Sequence, residues 1–315
     1  MELTGLHHLT AITADAAANN RFYTGTLGLR RVKKTVNQDD TSAYHLFFAD
    51  GAGSPGSDIT FFDWPVGPER RGTRAISRTG LRVPEASLDY WAARLRDAGL
   101  SPGAITETAG RATLDAEDPE GQRLRFTADP GRPGHPWERS PVPMEHQILG
   151  LGPVTLSVPR LAPTEAVLTG VMNFRRTGQC AAPDGNGPVI HIFETGAGGA
   201  AAEIHVTEDP GLPVAQQGAG AVHHVAFRTP DPGALTAWAT RLRELGVPNS
   251  GEVERYYFRS LYFREPGGVL FEIATDPPGF TWDESVEALG TGLKLPPWLE
   301  NRRSELQQVL PVLKV

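Results

Sequence analysis

The sequence contains very little cysteine and no excess of basic residues. Its one cysteine, Cys180, cannot form an intramolecular disulfide or build a cysteine-based zinc site. Thirty lysine and arginine residues against 37 aspartate and glutamate residues give a formal charge of −7. That balance excludes the basic footprint of a protein that binds nucleic acid or an anionic membrane surface.

Long hydrophobic runs are absent as well. None approaches the ~18 apolar residues of a membrane-spanning helix, and residues 1–5 lack the basic and apolar regions of a signal peptide. We therefore expect a soluble protein of the cytoplasm. Its 315 residues correspond to about two domains of ~150 residues, and its 35 glycines and 27 prolines favour many short elements joined by turns.

The two halves of the chain repeat each other. Residues 77–129 lie over residues 224–276 at a constant offset of 147 without a gap. The matched pairs include Leu88 with Leu235, Trp91 with Trp238, Gly99 with Gly246, and Gly121 with Gly268. At an offset of 145, Thr24-Gly25 also matches Thr169-Gly170. Each half therefore holds two units of similar plan.

Each unit follows the pattern strand, helix and three strands. A helical face recurs in both halves, with Ser87 as the start signal in one copy and Asp231-Pro232 in the other. The residues of this face are Leu88, Trp91, Ala92 and Leu95, and in the copy Leu235, Trp238, Ala239 and Leu242. The sequence predicts an α+β fold of four βαβββ units between residues 5 and 278.

Proline-rich composition places the joint between the halves. Five prolines lie between Pro130 and Pro143, as expected of a linker. We expect one pair of units in residues 1–135, a second pair in residues 147–279, and a helical tail in residues 280–315. The tail is predicted to form short helices over residues 283–289 and 297–310, which pack over a domain edge in a structural role.

Three residues break the internal symmetry. His224 corresponds to Ser77, Glu272 to Arg125, and His8 to Pro153. A carboxylate in the otherwise apolar strand 269–274 is costly unless it is paired or ligated. Two imidazoles and one carboxylate form the facial triad that holds Fe(II) with three positions open. We therefore predict that His8, His224 and Glu272 are metal ligands.

The other histidines have simpler explanations. A lone histidine at a strand start is usually a hydrogen-bonded residue of the core or the sheet edge. His45 and His191 match each other, so symmetry favours structural roles for both. His146 and His205 are interpreted as surface or core residues, and His135 as a solvated residue of the linker.

The predicted ligands also constrain the architecture. Because His8 belongs to the first unit and the other two ligands to the fourth, these units must share one barrel-like cup. Units two and three then form a second cup, which offers Ser77, Arg125 and Pro153 at the equivalent places and is expected to hold no metal.

Nearly the whole chain resembles the vicinal oxygen chelate superfamily, which includes glyoxalase I and the extradiol dioxygenases. It is most similar to hydroquinone-type ring-cleaving dioxygenases, including the 2,6-dichlorohydroquinone 1,2-dioxygenases. The resemblance depends on Leu6-His7-His8-Leu9-Thr10, residues 44–50, Val222-His223-His224-Val225-Ala226-Phe227, residues 255–262, Pro266-Gly267-Gly268-Val269 and Phe271-Glu272. It implies the same three metal ligands and places Arg255 and Tyr262 beside the substrate. Residues 255–260 are bulkier and more basic than in the family. This difference bears on which substituents the ring of the substrate carries.

The resemblance implies an Fe(II)-dependent, extradiol-type dioxygenase that opens a hydroquinone or related phenolic ring, such as a catechol, with O2. The triad would also accept Mn(II). His223 and His7 are candidate second-layer or acid–base groups, although neighbours of a ligand in a strand point to the opposite face. The sequence leaves the oligomeric state open, and a homo-oligomer is compatible with it.

Two alternatives stay open at this point. One is a metal-dependent isomerase or lyase of the glyoxalase type, which commonly uses a fourth protein ligand from the last strand of the partner unit. In residues 59–63 only Asp63 could serve, since Thr60 and Phe61 are poor ligands. The other is a non-catalytic, aromatic-binding resistance protein of the same fold, a group that often lacks the triad.

Overall fold

Two curved β-sheets, each with helices against one face, make up the fold. The computed structural model describes residues 1–131, 134–183, 185–311 and 313. Arg132 and Pro133 of the predicted linker, and Val312, Lys314 and Val315 of the predicted tail, lie outside the described residues. No helix of the described part is long and apolar enough to cross a membrane.

The N-terminal half contains the first two units. Its elements are β1 (Leu6–Thr13), α1 (Ala16–Arg21), β2 (Arg30–Val36), β3 (Tyr44–Ala49), β4 (Asp58–Asp63), β5 (Ala75–Pro84), α2 (Leu88–Asp97), β6 (Ile105–Thr108), β7 (Arg111–Glu117) and β8 (Arg123–Asp129). Helix α1 continues into a π-helical turn over Phe22–Thr26, and a 3₁₀ turn over Glu85–Ser87 precedes α2.

The C-terminal half repeats this order. Its elements are β9 (Gly150–Leu151), β10 (Val154–Val158), α3 (Leu161–Ala166), β11 (Arg175–Cys180), β12 (Ile190–Glu194), β13 (Glu203–Glu208), β14 (Val222–Thr229), α4 (Pro232–Glu244), β15 (Asn249–Glu254), β16 (Arg259–Arg264), β17 (Leu270–Thr275) and α5 (Arg303–Val309). The four βαβββ units predicted from the repeat are confirmed.

The strand order mixes the two halves of the sequence. The first sheet runs β15-β16-β17-β14-β1-β4-β3-β2, so that it combines units one and four. The second runs β11-β12-β13-β10-β5-β8-β7-β6 and combines units two and three, with β9 added beside β5. The predicted pairing of the units is confirmed.

The helices begin as their sequences dictate, with one exception. The carboxylate of Asp231 accepts the backbone N–H of Ala234 at 2.8 Å and caps α4, as predicted. Ser87 precedes α2 but does not cap it, because its hydroxyl contacts the backbone oxygen of Glu145 and the ring of His146 instead. The expected apolar faces are buried, and Trp91 and Trp238 have no exposed surface.

Ion pairs fill the concave side of the second sheet. Arg125, which stands where Glu272 stands in the fourth unit, donates two hydrogen bonds to Asp115 at 2.7 and 2.8 Å. In the same cup Glu203 accepts a bidentate pair of hydrogen bonds from Arg111 and lies 3.0 Å from the ring of His205. This cup therefore has its own charged interior.

The tail differs from the prediction. Residues 283–289 contain a 3₁₀ turn over Val286–Ala288 in place of a helix, and residues 297–310 begin as a 3₁₀ helix over Pro297–Arg302 before α5. The tail does not only pack over the edge of the first cup. Phe280 and Leu289 join a buried apolar cluster with Phe47, so part of the tail lies inside the cup.

Candidate metal centre

The two predicted imidazole ligands and the predicted carboxylate come together on the concave face of the first sheet. The antiparallel pairing of β1 with β14 places His8 opposite Ala226 and Thr10 opposite His224. The parallel pairing of β14 with β17 places Ala226 opposite Glu272. Since side chains alternate between the faces of a strand, all of these residues share one face. The small side chain of Ala226 lies between two ligands and leaves them room.

The three ligand atoms surround one point. Nε2 of His8 and Nε2 of His224 lie 3.2 and 2.9 Å from the same oxygen, Oε2 of Glu272, and the three atoms all lie within 4.8 Å of one another. Two ligands at right angles around a metal with bonds of ~2.1 Å would be about 3.0 Å apart. All three residues are buried. Their spacing therefore fits one transition-metal ion.

Unsatisfied polar atoms support the same interpretation. Nε2 of His224 and Oε2 of Glu272 are buried and lie 2.9 Å apart, but neither forms a well-aligned hydrogen bond with the other or with another described residue. The other carboxylate oxygen, Oε1, accepts a hydrogen bond from Ser260 and fixes the orientation of the group. Burying polar atoms without partners is costly. A bound cation would remove that cost, so the donor set fits a metal.

The electrostatics of the carboxylate agree with this role. Burial alone would raise the pKa of Glu272, but the adjacent imidazoles of His8 and His224 hold it well below its usual range. Glu272 is therefore an anion that is ready to bind a metal.

A hydrogen-bond chain fixes the tautomer of His8. Nε2 of His7 lies 3.1 Å from the carbonyl oxygen of Thr275, which can only accept, so this nitrogen carries the proton. Burial lowers the pKa of His7 to about 3, and its neutral ring therefore accepts at Nδ1. Nδ1 of His8 lies 2.8 Å away and must donate. In the neutral ring the lone pair of His8 is therefore on Nε2, the atom that faces Glu272. Although burial alone would lower the pKa of His8, Glu272 raises it, so this nitrogen favours a proton until a metal replaces it.

His223 is placed differently from His7. Its Nδ1 lies 2.8 Å from Nδ1 of His224, in the same arrangement as the first pair, but its ring borders the cavity described below. Burial and the neighbouring His224 lower the pKa of His223 to about 3. The expectation that neighbours of a ligand turn fully away is wrong for both pairs, because irregular register in β1 lets the adjacent rings meet edge to face.

A cavity of about 350 Å³ opens beside the three ligand residues. Its lining is rich in aromatic side chains: Phe47, Phe62, Trp64, Tyr257, Phe258 and Tyr262. Polar residues also line it, among them Arg255, whose Nε donates to the hydroxyl of Tyr262 at 3.2 Å. Such a lining suits a flat apolar ring with a small number of polar substituents.

Asp39, which sequence reasoning missed, holds Arg255 from the mouth of the cavity. The guanidinium donates to both carboxylate oxygens of Asp39, at 3.0 and 2.8 Å. Although burial alone would lower the pKa of Arg255, these hydrogen bonds and Tyr262 raise it above the usual value. Burial and the charge of Glu272 raise the pKa of Tyr262, so its hydroxyl remains a hydrogen-bond donor.

His45 also lies in the cavity, which its symmetry with His191 did not indicate. Its Nε2 contacts the hydroxyl of Thr60 at 2.9 Å, and burial and the ligand histidines hold its pKa well below the usual value. His191 instead lies on the second sheet beside Arg176, at 2.7 Å. The matched positions carry the same residue in two different environments.

The fourth ligand of a glyoxalase-type site has no counterpart in the described cluster. Glu272 of β17 pairs with Ala226, two residues after the ligand candidate His224. At the equivalent place in β4, Thr60 pairs with Thr10, two residues after His8. Asp63 lies farther along β4 and does not belong to the group of ligand atoms, which within the described chain consists of His8, His224 and Glu272.

Comparison with known proteins agrees with this geometry. The family model described as the Glyoxalase/Bleomycin resistance protein/Dioxygenase superfamily matches residues 5–126 and 150–273. The chain belongs to this superfamily. It is 46% identical over 314 residues to the Bacillus subtilis protein named "Putative ring-cleaving dioxygenase MhqA", covering 98% of this chain and 99% of that protein.

Two further relatives match over nearly their full length. The chlorohydroquinone/hydroquinone 1,2-dioxygenase of Sphingobium indicum is 32% identical, with 97% of this chain and 95% of that protein covered. A crystal structure of a "putative dioxygenase" from Bacillus subtilis has a TM-score of 0.92 at 33% identity and covers 100% of this chain and 98% of that one. The prediction of an enzyme of the ring-cleaving dioxygenase class is confirmed by these relatives.

Proposed function

We propose that the protein is an Fe(II)-dependent, extradiol-type dioxygenase that opens the ring of a hydroquinone or a related phenol. The observation that carries this proposal is a buried cluster of two histidines and one glutamate, of which both histidines line a cavity with aromatic walls. A relative named chlorohydroquinone/hydroquinone 1,2-dioxygenase supports the substrate class. The proposed ligands are His8, His224 and Glu272.

His8, His224 and Glu272 would hold Fe(II), which would supply open coordination positions for a phenolate oxygen and dioxygen and a route for electron density between them. Fe(II) is preferred to Mn(II) on the basis of the reaction class, since the ligands suit either ion. Thr60 at the fourth position supports open-site chemistry, because a neutral hydroxyl competes poorly for the metal.

In this proposal Arg255 and Tyr262 bind and orient the ring. Asp39 and Tyr262 occupy three N–H groups of the guanidinium and leave two free for a negatively charged oxygen. The Tyr262 hydroxyl lies beside His224, with ring centroids 5.8 Å apart, where it can donate to a substrate oxygen. Both groups act before any bond is broken, by holding the ring against the centre.

We assign to His223 a hydrogen bond to the substrate. When His224 binds the metal through Nε2, its Nδ1–H donates to Nδ1 of His223, which leaves the proton of His223 on Nε2. His7 is the less suitable of the two, because the carbonyl of Thr275 already occupies its Nε2. The neutral His223 therefore donates a hydrogen bond from its Nε2–H to a substrate oxygen.

Oxygen uptake tests the function directly. The protein is reconstituted anaerobically with Fe(II) and given hydroquinone, 2-methylhydroquinone, chlorohydroquinone and catechol in turn, with Glu272→Gln treated identically as the control. We expect one O2 consumed per ring and a ring-opened product with both atoms of ¹⁸O2. No uptake with one metal tightly bound per chain would contradict the proposal in favour of an isomerase or lyase. Uptake by Glu272→Gln would contradict the ligand assignment.

A further inference from the structure

A segment of the tail, residues 280–290, forms part of the first cup. Phe280 and Leu289 belong to the same buried apolar cluster as Tyr257 and Phe258, two residues that line the cavity. The rings of Phe280 and Tyr257 lie 5.5 Å apart between centroids. This segment is therefore packed against the wall of the candidate site.

A buried lysine fixes the segment in place. The side chain of Lys33 on β2 has no exposed surface, and its ammonium donates to the carbonyl oxygen of Phe280, to Oδ1 of Asp283 at 2.7 Å and to Glu284. A fully buried ammonium is very costly without such partners. The tail thus supplies the counter-charges that Lys33 requires.

Asp283 connects this lysine to the cavity wall. While Oδ1 accepts from Lys33, Oδ2 accepts from the hydroxyl of Tyr257 at 2.9 Å. The ammonium also lies 4.6 Å from the centre of the Tyr257 ring. Glu284 shares Lys33 with Asp283, and no hydrogen bond between Glu284 and Tyr257 is found in the described structure.

The wall in turn contacts a metal ligand. The ring of Phe258, next to Tyr257, lies 4.9 Å from the ring of His8 and 5.3 Å from that of His7. A shift of Tyr257 would therefore move a surface that touches both the ring-binding space and His8. Packing in a protein interior transmits such a displacement because few voids are available to absorb it.

The backbone of the wall is strained and needs outside support. Tyr256 has a φ of +70°, a left-handed conformation that is unfavourable for a residue other than glycine. Such a residue persists where its surroundings over-determine it. The N–H of Gly279 donates to the carbonyl of Tyr257 at 2.8 Å, so the start of the tail segment holds the turn at a second point.

We propose that Asp283 is a positioning residue that acts through Tyr257 to set which ring substituents the cavity accepts. Lys33 holds Asp283, Asp283 holds the Tyr257 hydroxyl, and the wall of Tyr257 and Phe258 is thereby kept at a fixed distance from the metal ligands. The identity of the ring rests on the proposed function, whereas the dependence of the cavity on the tail does not.

Four variants, compared with the wild type, test this proposal. Tyr257→Phe removes only the hydroxyl, Asp283→Ala removes the acceptor, and Asp283→Asn keeps an acceptor without the charge. Glu284→Gln is the matched control, because it removes an equal charge from the same lysine but does not touch Tyr257. The readouts are bound metal per chain, the thermal midpoint, anaerobic affinity for hydroquinone and 2-methylhydroquinone, and kcat and KM from oxygen uptake.

We expect Tyr257→Phe and Asp283→Ala to retain one metal per chain and to change the ratio of the two affinities at least about fivefold, as small changes in an apolar pocket do. Their effect should fall on KM more than on kcat. Asp283→Asn should keep the wild-type ratio of the two affinities. Glu284→Gln should lower the thermal midpoint but leave that affinity ratio unchanged.

An unchanged ratio in Tyr257→Phe would overturn the proposal, even if Asp283→Ala fails to fold. A shift in Glu284→Gln as large as in Tyr257→Phe would do the same. If no variant or wild type consumes O2 but the anaerobic affinity ratio changes as expected, the proposed function fails and the positioning role stands.

Discussion

Thr60 occupies in β4 the place that Glu272 occupies in β17. Each lies beside the second residue after a ligand histidine, Thr60 beside Thr10 and Glu272 beside Ala226. The near-twofold plan of the first cup therefore offers four equivalent positions around the centre, and the sequence places ligands at three. The fourth carries a hydroxyl that donates to Thr10 at 2.8 Å.

Replacing Thr60 by glutamate should convert the three-ligand set into a four-ligand set. We expect Thr60→Glu to retain metal more tightly during dialysis against a chelator, because it adds an anionic ligand, and to lose at least about 100-fold in oxygen uptake, because an open position is lost. The isosteric Thr60→Val serves as the control and should keep its metal. Full activity in Thr60→Glu would show that the fourth position does not face the metal.

Each of the three ligands should be required for metal retention. His8→Ala, His224→Ala and Glu272→Ala remove one of only three protein donors, and we expect less than about a tenth of the wild-type metal after gel filtration. His191→Ala changes the matched histidine of the other sheet and should keep the full metal content. Elemental analysis decides the matter, and a stoichiometric metal in Glu272→Ala would refute the assignment.

The buried carboxyl group of Asp58 should make the folded protein less stable at neutral and basic pH than at acidic pH. Its carboxyl group is buried, both oxygens lack hydrogen-bond partners in the described structure, and burial raises its pKa to about 8. The folded state therefore keeps a proton that the unfolded state releases near pH 4, so stability falls as pH rises from about 4 to 8. At pH 8, Asp58→Asn should be more stable by on the order of 2 kcal/mol.

Thermal midpoints of metal-depleted protein at pH 4 and pH 8 test this. The difference between Asp58→Asn and the wild type should be small at pH 4 and large at pH 8. An equal difference at both values would mean that ionisation of Asp58 is not its cause.

Glu203 should have the opposite pH dependence. Burial alone would raise its pKa, but hydrogen bonds from His205 and Arg111 lower it to about 2. Stability from this pair is fully present above pH 4.5 and is lost as pH falls through about 2. Glu203→Gln should therefore cost on the order of 1–2 kcal/mol at pH 7 and much less near pH 2. Unfolding in urea at the two pH values measures this.

An exposed ion pair provides the control for Glu203. Glu165 accepts from Arg176 at 3.1 Å on the surface of the same half of the chain. Glu165→Gln should change stability by less than about 0.5 kcal/mol, because water screens this pair. If Glu165→Gln loses as much free energy of unfolding as Glu203→Gln, the change in net charge would explain both effects.

The repeated hydrophobic pattern predicted the fold because each unit buries the same helical face, represented by Trp91 and Trp238. The proximity of His8, His224 and Glu272 was predictable for the converse reason. A carboxylate such as Glu272 cannot replace the Arg125 of its copy without a new partner, so a break in symmetry marks a change in chemistry.

The same symmetry did not reveal that His45 lines the cavity, since the two cups enclose different environments. Asp39 and Asp283 could not be predicted either. Asp39 contacts Arg255, and Asp283 contacts Lys33, across more than 200 residues of sequence. Neither contact follows from a recognisable motif, so only the folded chain reveals the partner of each aspartate.

The exchange of strands between the halves has a consequence for synthesis. While the chain grows from its N-terminus, β1 emerges long before β14, its partner in the centre of the first sheet, and its edge stays open until unit four is made. The three proposed metal ligands are not all present until β17, which carries Glu272, has been synthesised. For the same reason, a chain cut between its halves would hold together as one particle, because each fragment supplies half of both sheets.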